Sequence, residues 1–284
     1  MVLELSTMGI RIEKSVPKTT MAKKKNENTH HHRDVPPSPL LLALEFRAAF
    51  EFCSVLPSWP ALMSAPVGDG HPVIVFPGLS TSDASTLPMR GYLQNLGYKM
   101  SGWNQSYNFG MRAGVLERAK QHVLEEYEAY GERVSLIGWS LGGILAREIA
   151  KELPNHVRGV VTMGSPFAGS RRSTNAYRLY EITSERSVYT DMEEYDLPKA
   201  PPMPTTSIFS RTDGIVAWKA AIQAPCNVNP HTENVEVLAS HLGLPLNPSV
   251  WWAVADRLAQ PMGQWQKFDR SGTVQKLLYP NPHR

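Results

Sequence analysis

The chain has 284 residues, 42% of them hydrophobic and 19% charged, a balance that supports one sizeable core and excludes a wholly disordered or fibrous polymer. No uncharged apolar run approaches the roughly 18 residues that a membrane-spanning helix needs; the densest stretch, 39–56, is broken by Glu45, Arg47 and Glu51. The net charge of +3 is uneven: residues 1–33 carry +4 and the rest −1, so the basicity belongs to the tail and the body offers no nucleic-acid surface.

Up to Pro37 the sequence is rich in Lys, Asn, Thr, His and Pro, and it is expected to be a disordered basic tail (1–37) ahead of one folded body (38–284). Its start lacks the charged region, apolar core and cleavage site of a secretion signal. That points to the cytoplasm, with secretion or peripheral membrane contact as the alternatives. Two cysteines, Cys53 and Cys226, exclude a disulfide scaffold and a cysteine-rich zinc site, and both are expected as free thiols.

Residues 39–56, PLLLALEFRAAFEFCSVL, read as a helix with Leu41, Leu44, Ala48, Phe52 and Val55 on one stripe. Pro57 and Pro60 are expected to stop it. The apolar stripe is expected to cover the body; docking on a lipid surface is the competing reading.

From His71 onward strand and helix signals alternate. The strands are read at 71–76, 98–103, 133–139, 157–166, 205–210 and 233–239. Helices are read at 85–97, 111–131, 141–153 and 249–259. Short apolar strands separated by helices of this length predict a mostly parallel sheet covered on both faces. Residues 168–204, ending in PKAPPMP, break the rhythm and read as a cap inserted over one edge of the sheet.

The chemistry gathers at Gly138-Trp139-Ser140-Leu141-Gly142. A strand enters this pentapeptide and a helix leaves it, which is the context in which a serine is lifted on a tight turn. Such a serine needs a base, and the base an orienting carboxylate, in the chain order Ser, Asp, His. Asp213 follows the strand TTSIFS and His241 follows ENVEVLA. Each therefore falls at the carboxyl end of a strand, where open α/β sheets gather their catalysts. His71 and His231 precede their strands and are expected at the opposite edge. Donors for a developing oxyanion are expected from the backbone N–H of Leu141 and from the loop after the first strand, at Leu79. No motif for a metal or a dinucleotide is present, so no cofactor is expected.

With these residues placed, the chain resembles the α/β-hydrolase superfamily, in its bacterial esterase and lipase-like branch. The matching phrases are GHPVIVFPGL (70–79), LPMRGYLQNLGY (87–98), RVSLIGWSLGGILAREIA (133–150), SPFAG (165–169), SRTDGIVAW (210–218), ENVEVLASHLGL (233–244) and NPSVWWAVADRLAQ (247–260). The resemblance implies a mostly parallel hydrolase sheet of eight strands trimmed at its first ones, with flanking helices and a cap. It also implies nucleophile Ser140, acid Asp213, base His241 and oxyanion donors Leu79 and Leu141. Pro77-Gly78 stands where many relatives have His-Gly, which keeps the donor at Leu79 and removes a bracing histidine. The activity implied is hydrolysis of small carboxylic esters of short to medium acyl chain. Acyl transfer or amide cleavage on the same triad, or a non-catalytic binding protein on this fold, are the alternatives.

Overall fold

The computed structural model describes residues 35–112, 114–169, 173–175, 195–225 and 229–284. Six strands pair side by side, every neighbour parallel, and all but the edge strand KMSG carry β-branched residues. They are β1 (Pro72–Phe76), β2 (Lys99–Gly102), β3 (Val134–Trp139), β4 (Val157–Met163), β5 (Thr205–Phe209) and β6 (Thr232–Glu236). Their order is β2-β1-β3-β4-β5-β6, with Val75 opposite Ile137 and Ile137 opposite Val161. The chain reverses its direction of winding between β1 and β3, and all the carboxyl ends open on one side of the sheet.

Both faces are buried, as a parallel sheet requires. Alternation along each strand sends Val73 and Val75 to one face and Ile74 and Phe76 to the other. The first face packs on helices α3 (Val55–Leu62), α4 (Leu87–Asn95) and α7 (Pro248–Leu258), through Val55, Leu62, Met89, Leu93 and Trp251. The second packs on α5 (Val115–Tyr130) and α6 (Leu141–Glu152), through Ala119, Val123, Ile144 and Ile149. The six strands match the six read from sequence. The long amphipathic helix starts four residues later than its pattern, because Gly114 adopts φ +77 and breaks the run before Val115; Gly131, at φ +68, ends it in the left-handed cap that glycine tolerates. A short helix α8 (Thr273–Leu278) was not legible in the pattern.

The N-terminal segment departs furthest from expectation. It runs as α1 (Pro39–Ala43), a 3₁₀ turn (Leu44–Arg47), α2 (Ala48–Cys53) and α3, and so continues to Leu62 rather than stopping at Pro57. Ser54 precedes α3, so Pro57 falls in its first turn, where a missing N–H costs little. Of the expected stripe, Val55 is buried and Leu41, Leu44 and Ala48 are half-buried, but the same side also buries charge. Glu45 is 5% exposed, whereas Phe46 is 66%, Phe50 69% and Leu56 81% exposed. Phe52, expected inside, is 44% exposed. Much of the apolar surface faces outward and the charged residues turn in.

Cys53 carries an exposed free thiol; Cys226 lies outside the described residues. So does the basic tail before residue 35, and so does most of the expected cap at 168–204. Among the described residues no helix is long and apolar enough to cross a membrane.

Candidate active site

Ser140 follows β3 and precedes α6 with φ +53 and ψ −120. A positive φ is costly for any residue with a Cβ, by about 1–3 kcal/mol at such a position. Tight glycine packing holds the turn. A Cβ at Gly138 would lie 2.3 Å from the Gly143 Cα, and one at Gly143 would lie 1.9 Å from Ser165 Oγ. The Ser140 N–H donates to the Met163 carbonyl at 2.8 Å and its own carbonyl accepts from Gly143 N–H at 3.0 Å. The strand–turn–helix read from GWSLG is therefore present, and it raises the serine at the carboxyl end of the sheet.

Asp213 and His241 come from the loops after β5 and β6 and are both 3% exposed. His241 Nδ1 lies 2.7 Å from Asp213 Oδ2. The other carboxylate oxygen accepts the N–H groups of Ile215 and Val216 at 2.8 and 2.7 Å, so the loop itself fixes the carboxylate plane. Gly164, at φ +58 after β4, leaves the space: a Cβ there would come within 3.1 Å of His241 Nδ1 and 2.6 Å of Leu244. Burial disfavours the imidazolium. The charge and hydrogen bond of Asp213, with the charge of Glu45 added, overcome that and raise the His241 pKa above its ordinary 6.5.

The elbow meets the pair through Trp139. Its Nε1 donates to the His241 carbonyl at 3.1 Å, and the two rings lie 5.9 Å apart. Trp139 thus joins β3 to the loop that carries His241. In this conformation the hydrogen bonds of the described residues include none from Ser140 Oγ to the ring. Catalytic hydrogen bonds of this kind are often long before substrate binds.

The loop after β1 lies against the elbow. A Cβ at Gly142 would sit 2.3 Å from the Phe76 carbonyl oxygen, so backbone touches backbone where two oxyanion donors would have to converge. Leu141 opens α6, and its N–H has no intrahelical acceptor. Leu79 lies two residues beyond Pro77 in the facing loop. Thr81 Oγ1 donates to the Gly78 carbonyl at 2.8 Å, and Asp83 accepts the N–H groups of Trp103 and Asn104 at 3.0 and 3.1 Å. The sequence reading missed Asn108, which is fully buried. Asn108 Nδ2 donates to the Pro77 carbonyl at 2.7 Å, its carbonyl accepts from Ser80 N–H at 2.7 Å, and its N–H donates to Thr81. Asn108 braces the loop that lacks the histidine.

Three more residues missed by sequence reading come from the N-terminal segment. Glu45 accepts the N–H groups of Gly214, His241 and Leu242 at 2.7, 3.0 and 2.9 Å. Glu51 accepts the Ser240 N–H at 2.7 Å and Asn247 Nδ2 at 3.1 Å. Arg47 donates to the Thr212 carbonyl at 2.6 Å and to its hydroxyl at 2.9 Å.

A second Ser-His-Asp grouping lies at the opposite end of the sheet. His71 Nε2 is 2.8 Å from Ser135 Oγ, and its Nδ1 contacts Asp69 Oδ1 at 2.5 Å. Arg158, ion-paired to the same Asp69 at 2.7 Å, and His231, stacked on Trp265, stand with Ser135 around a cavity of about 400 Å³. Ser135 sits within β3, paired with Val73 and Gly159 beside a register shift between Val134 and Ser135; the strand runs on to Trp139, so no strand-to-helix turn presents its hydroxyl and no helix N-terminus follows it. Burial holds the His71 pKa below its ordinary value. This is a core histidine with both nitrogens satisfied, on the edge where His71 and His231 were expected.

No protein-family model and no curated protein match the chain. Solved structures do. Lipase B of Aspergillus fumigatus aligns over 72% of this chain and 56% of its own, at 18% identity and a TM-score of 0.54. The mature form of lipase BlEst2 of Bacillus licheniformis aligns over 70% and 95%, at 16% identity and 0.52. The match therefore spans little more than half the length of the fungal lipase. At these identities the likeness is one of fold.

Proposed function

We propose that this chain, which has the α/β-hydrolase fold, is a serine hydrolase that cleaves carboxylic esters of short to medium acyl chain. The observation that supports this most directly is the lifted Ser140 beside a buried, hydrogen-bonded His241–Asp213 pair, all at the carboxyl ends of the strands.

In this reading His241 Nε2 accepts the Ser140 proton as Oγ attacks the ester carbonyl carbon. Asp213 holds Nδ1–H and stabilises the imidazolium that forms. The N–H groups of Leu79 and Leu141 receive the carbonyl oxygen as its negative charge develops. The C–O bond to the alcohol breaks and the alcohol leaves with the proton from His241. Water then enters, gives a proton to His241 and attacks the acyl-serine; the Oγ–acyl bond breaks, the acid leaves and His241 returns the proton to Ser140 Oγ. The raised pKa of His241 favours its protonated form, the form that gives the leaving group its proton.

A panel of p-nitrophenyl esters of graded chain length, run on the wild type and on Ser140→Ala, tests the reading. Turnover that peaks at short or medium chains and disappears in the variant is expected. Preference for an amide, or equal rates in both proteins, would overturn it.

A further inference from the structure

We propose that Glu45 is a positioning residue for the acid–base pair, holding the Asp213 and His241 loops in register from the N-terminal segment; this rests on the ester hydrolase reading above. Glu45 lies 169 residues from Gly214 and 196 from His241 along the chain, yet one of its oxygens accepts both their N–H groups. The other oxygen takes the N–H of Leu242. One buried carboxylate thus collects the residue after the acid, the base itself and the residue after the base. A buried charge is tolerated only when it is well hydrogen-bonded, and an apolar residue would have filled the same position at lower desolvation cost.

The surroundings are shaped to admit it. A Cβ at Gly214 would sit 2.3 Å from the Leu41 carbonyl oxygen, and one at Gly243 would sit 2.1 Å from Glu51 Oε2. Both loops are therefore bare of side chains where the N-terminal segment descends. Arg47 and Glu51 hold the same two loops one residue further out, at Thr212 and Ser240. Among the described residues, the charged groups that face the imidazole are Asp213 from the β5 loop and Glu45; Arg47 and Glu51 stand behind them.

Two consequences separate positioning from mere fold support. Catalysis depends steeply on the placement of its groups, a misplacement of about 1 Å costing on the order of 10²-fold, so the loss falls on kcat rather than KM. The Glu45 charge also favours the imidazolium, so removing it moves the acidic limb of the rate profile to lower pH.

The test compares Glu45→Gln, which keeps length and loses charge, with Glu45→Asp, which keeps charge and loses reach. Val55→Ala, a core truncation in α3, serves as the control for simple destabilisation. Hydrolysis of p-nitrophenyl butyrate is followed against pH, alongside the labelling rate with a fluorophosphonate. Glu45→Gln is expected to lower kcat about 10- to 100-fold with little change in KM and an acidic limb moved down. Glu45→Asp is expected to lower kcat with the limb in place, and Val55→Ala to lower the melting temperature alone. A folded Glu45→Gln with wild-type kcat and limb overturns the proposal. If Glu45→Gln does not fold, wild-type kcat in Glu45→Asp overturns it. If the wild type cleaves no ester, the ester reading fails, while the labelling rates still report what Glu45 does for Ser140. A wild type that neither cleaves nor is labelled overturns both.

Discussion

The carbonyl oxygen of Leu41 fills the space that a side chain at Gly214 would need, 2.3 Å from where the Cβ would lie. The neighbour is backbone, so it cannot swing aside as a flexible side chain would. Gly214→Ala is expected to cost about 1–3 kcal/mol through overpacking and to lower the esterase rate, because the displaced loop carries Asp213. Gly91, in α4, is the contrasting case: a Cβ there meets nothing within 4 Å. Gly91→Ala should stabilise by roughly 0.5–1 kcal/mol through helix propensity alone. Thermal melts of the two variants check the pair, and equal changes would show that the close approach of residue 41 is not a constraint.

The pH dependence follows from His241. The free base is needed to take the serine proton, and its pKa is raised above 6.5, with burial opposing and Asp213 and Glu45 outweighing it. The acidic limb of kcat/KM should therefore have its midpoint above pH 6.5. Stability runs the other way. A folded-state pKa above the unfolded one favours the protonated native state, so this contribution is fully present below the unfolded pKa and is lost as pH rises through the folded one. The stability difference between wild type and His241→Gln should accordingly shrink as pH rises from 6 toward alkaline values. A difference that grows over that range would contradict the assignment.

The strands, the elbow and the order Ser140, Asp213, His241 were legible because each leaves a local signature. β-branched runs mark strands, glycines mark the turn, and a polar residue just after a strand marks its catalytic end. The N-terminal segment was legible only in part, for the converse reason. Most of its expected stripe is covered, with Phe52 the exception, but Glu45 and Glu51 also turn inward, to donors on loops some 190 residues away, at Ser240 and His241. Nothing near Glu45 in sequence announces those N–H groups; they become partners only once the sheet order sets β5 and β6 side by side. Asn108 was missed likewise, since its partners lie on the β1 loop. Leu40, Phe46, Phe50 and Leu56, outside the expected stripe, are exposed.

Truncation separates the tail from the segment that follows it. Residues 1–35 precede every side chain that holds the Asp213 and His241 loops, and their removal should leave the melting temperature and the esterase rate nearly unchanged. Removal of 1–56 takes away Glu45, Arg47, Glu51 and the buried Val55. That deletion should give an insoluble protein, or a folded one with little activity. Equal melting temperature and rate for the two truncations would show that the segment is peripheral.

In the proposed mechanism the nucleophile is Ser140, and not Ser135 with its own histidine and aspartate. The most direct measurement is covalent labelling with a fluorophosphonate, with the modified peptide identified by mass spectrometry in wild type, Ser140→Ala and Ser135→Ala. Label is expected on Ser140 in the wild type and in Ser135→Ala, and none in Ser140→Ala. Ser135→Ala should lose only stability, about 1–3 kcal/mol for a buried His71 nitrogen left unpaired. Label on Ser135, or ester hydrolysis that survives Ser140→Ala, would contradict the account.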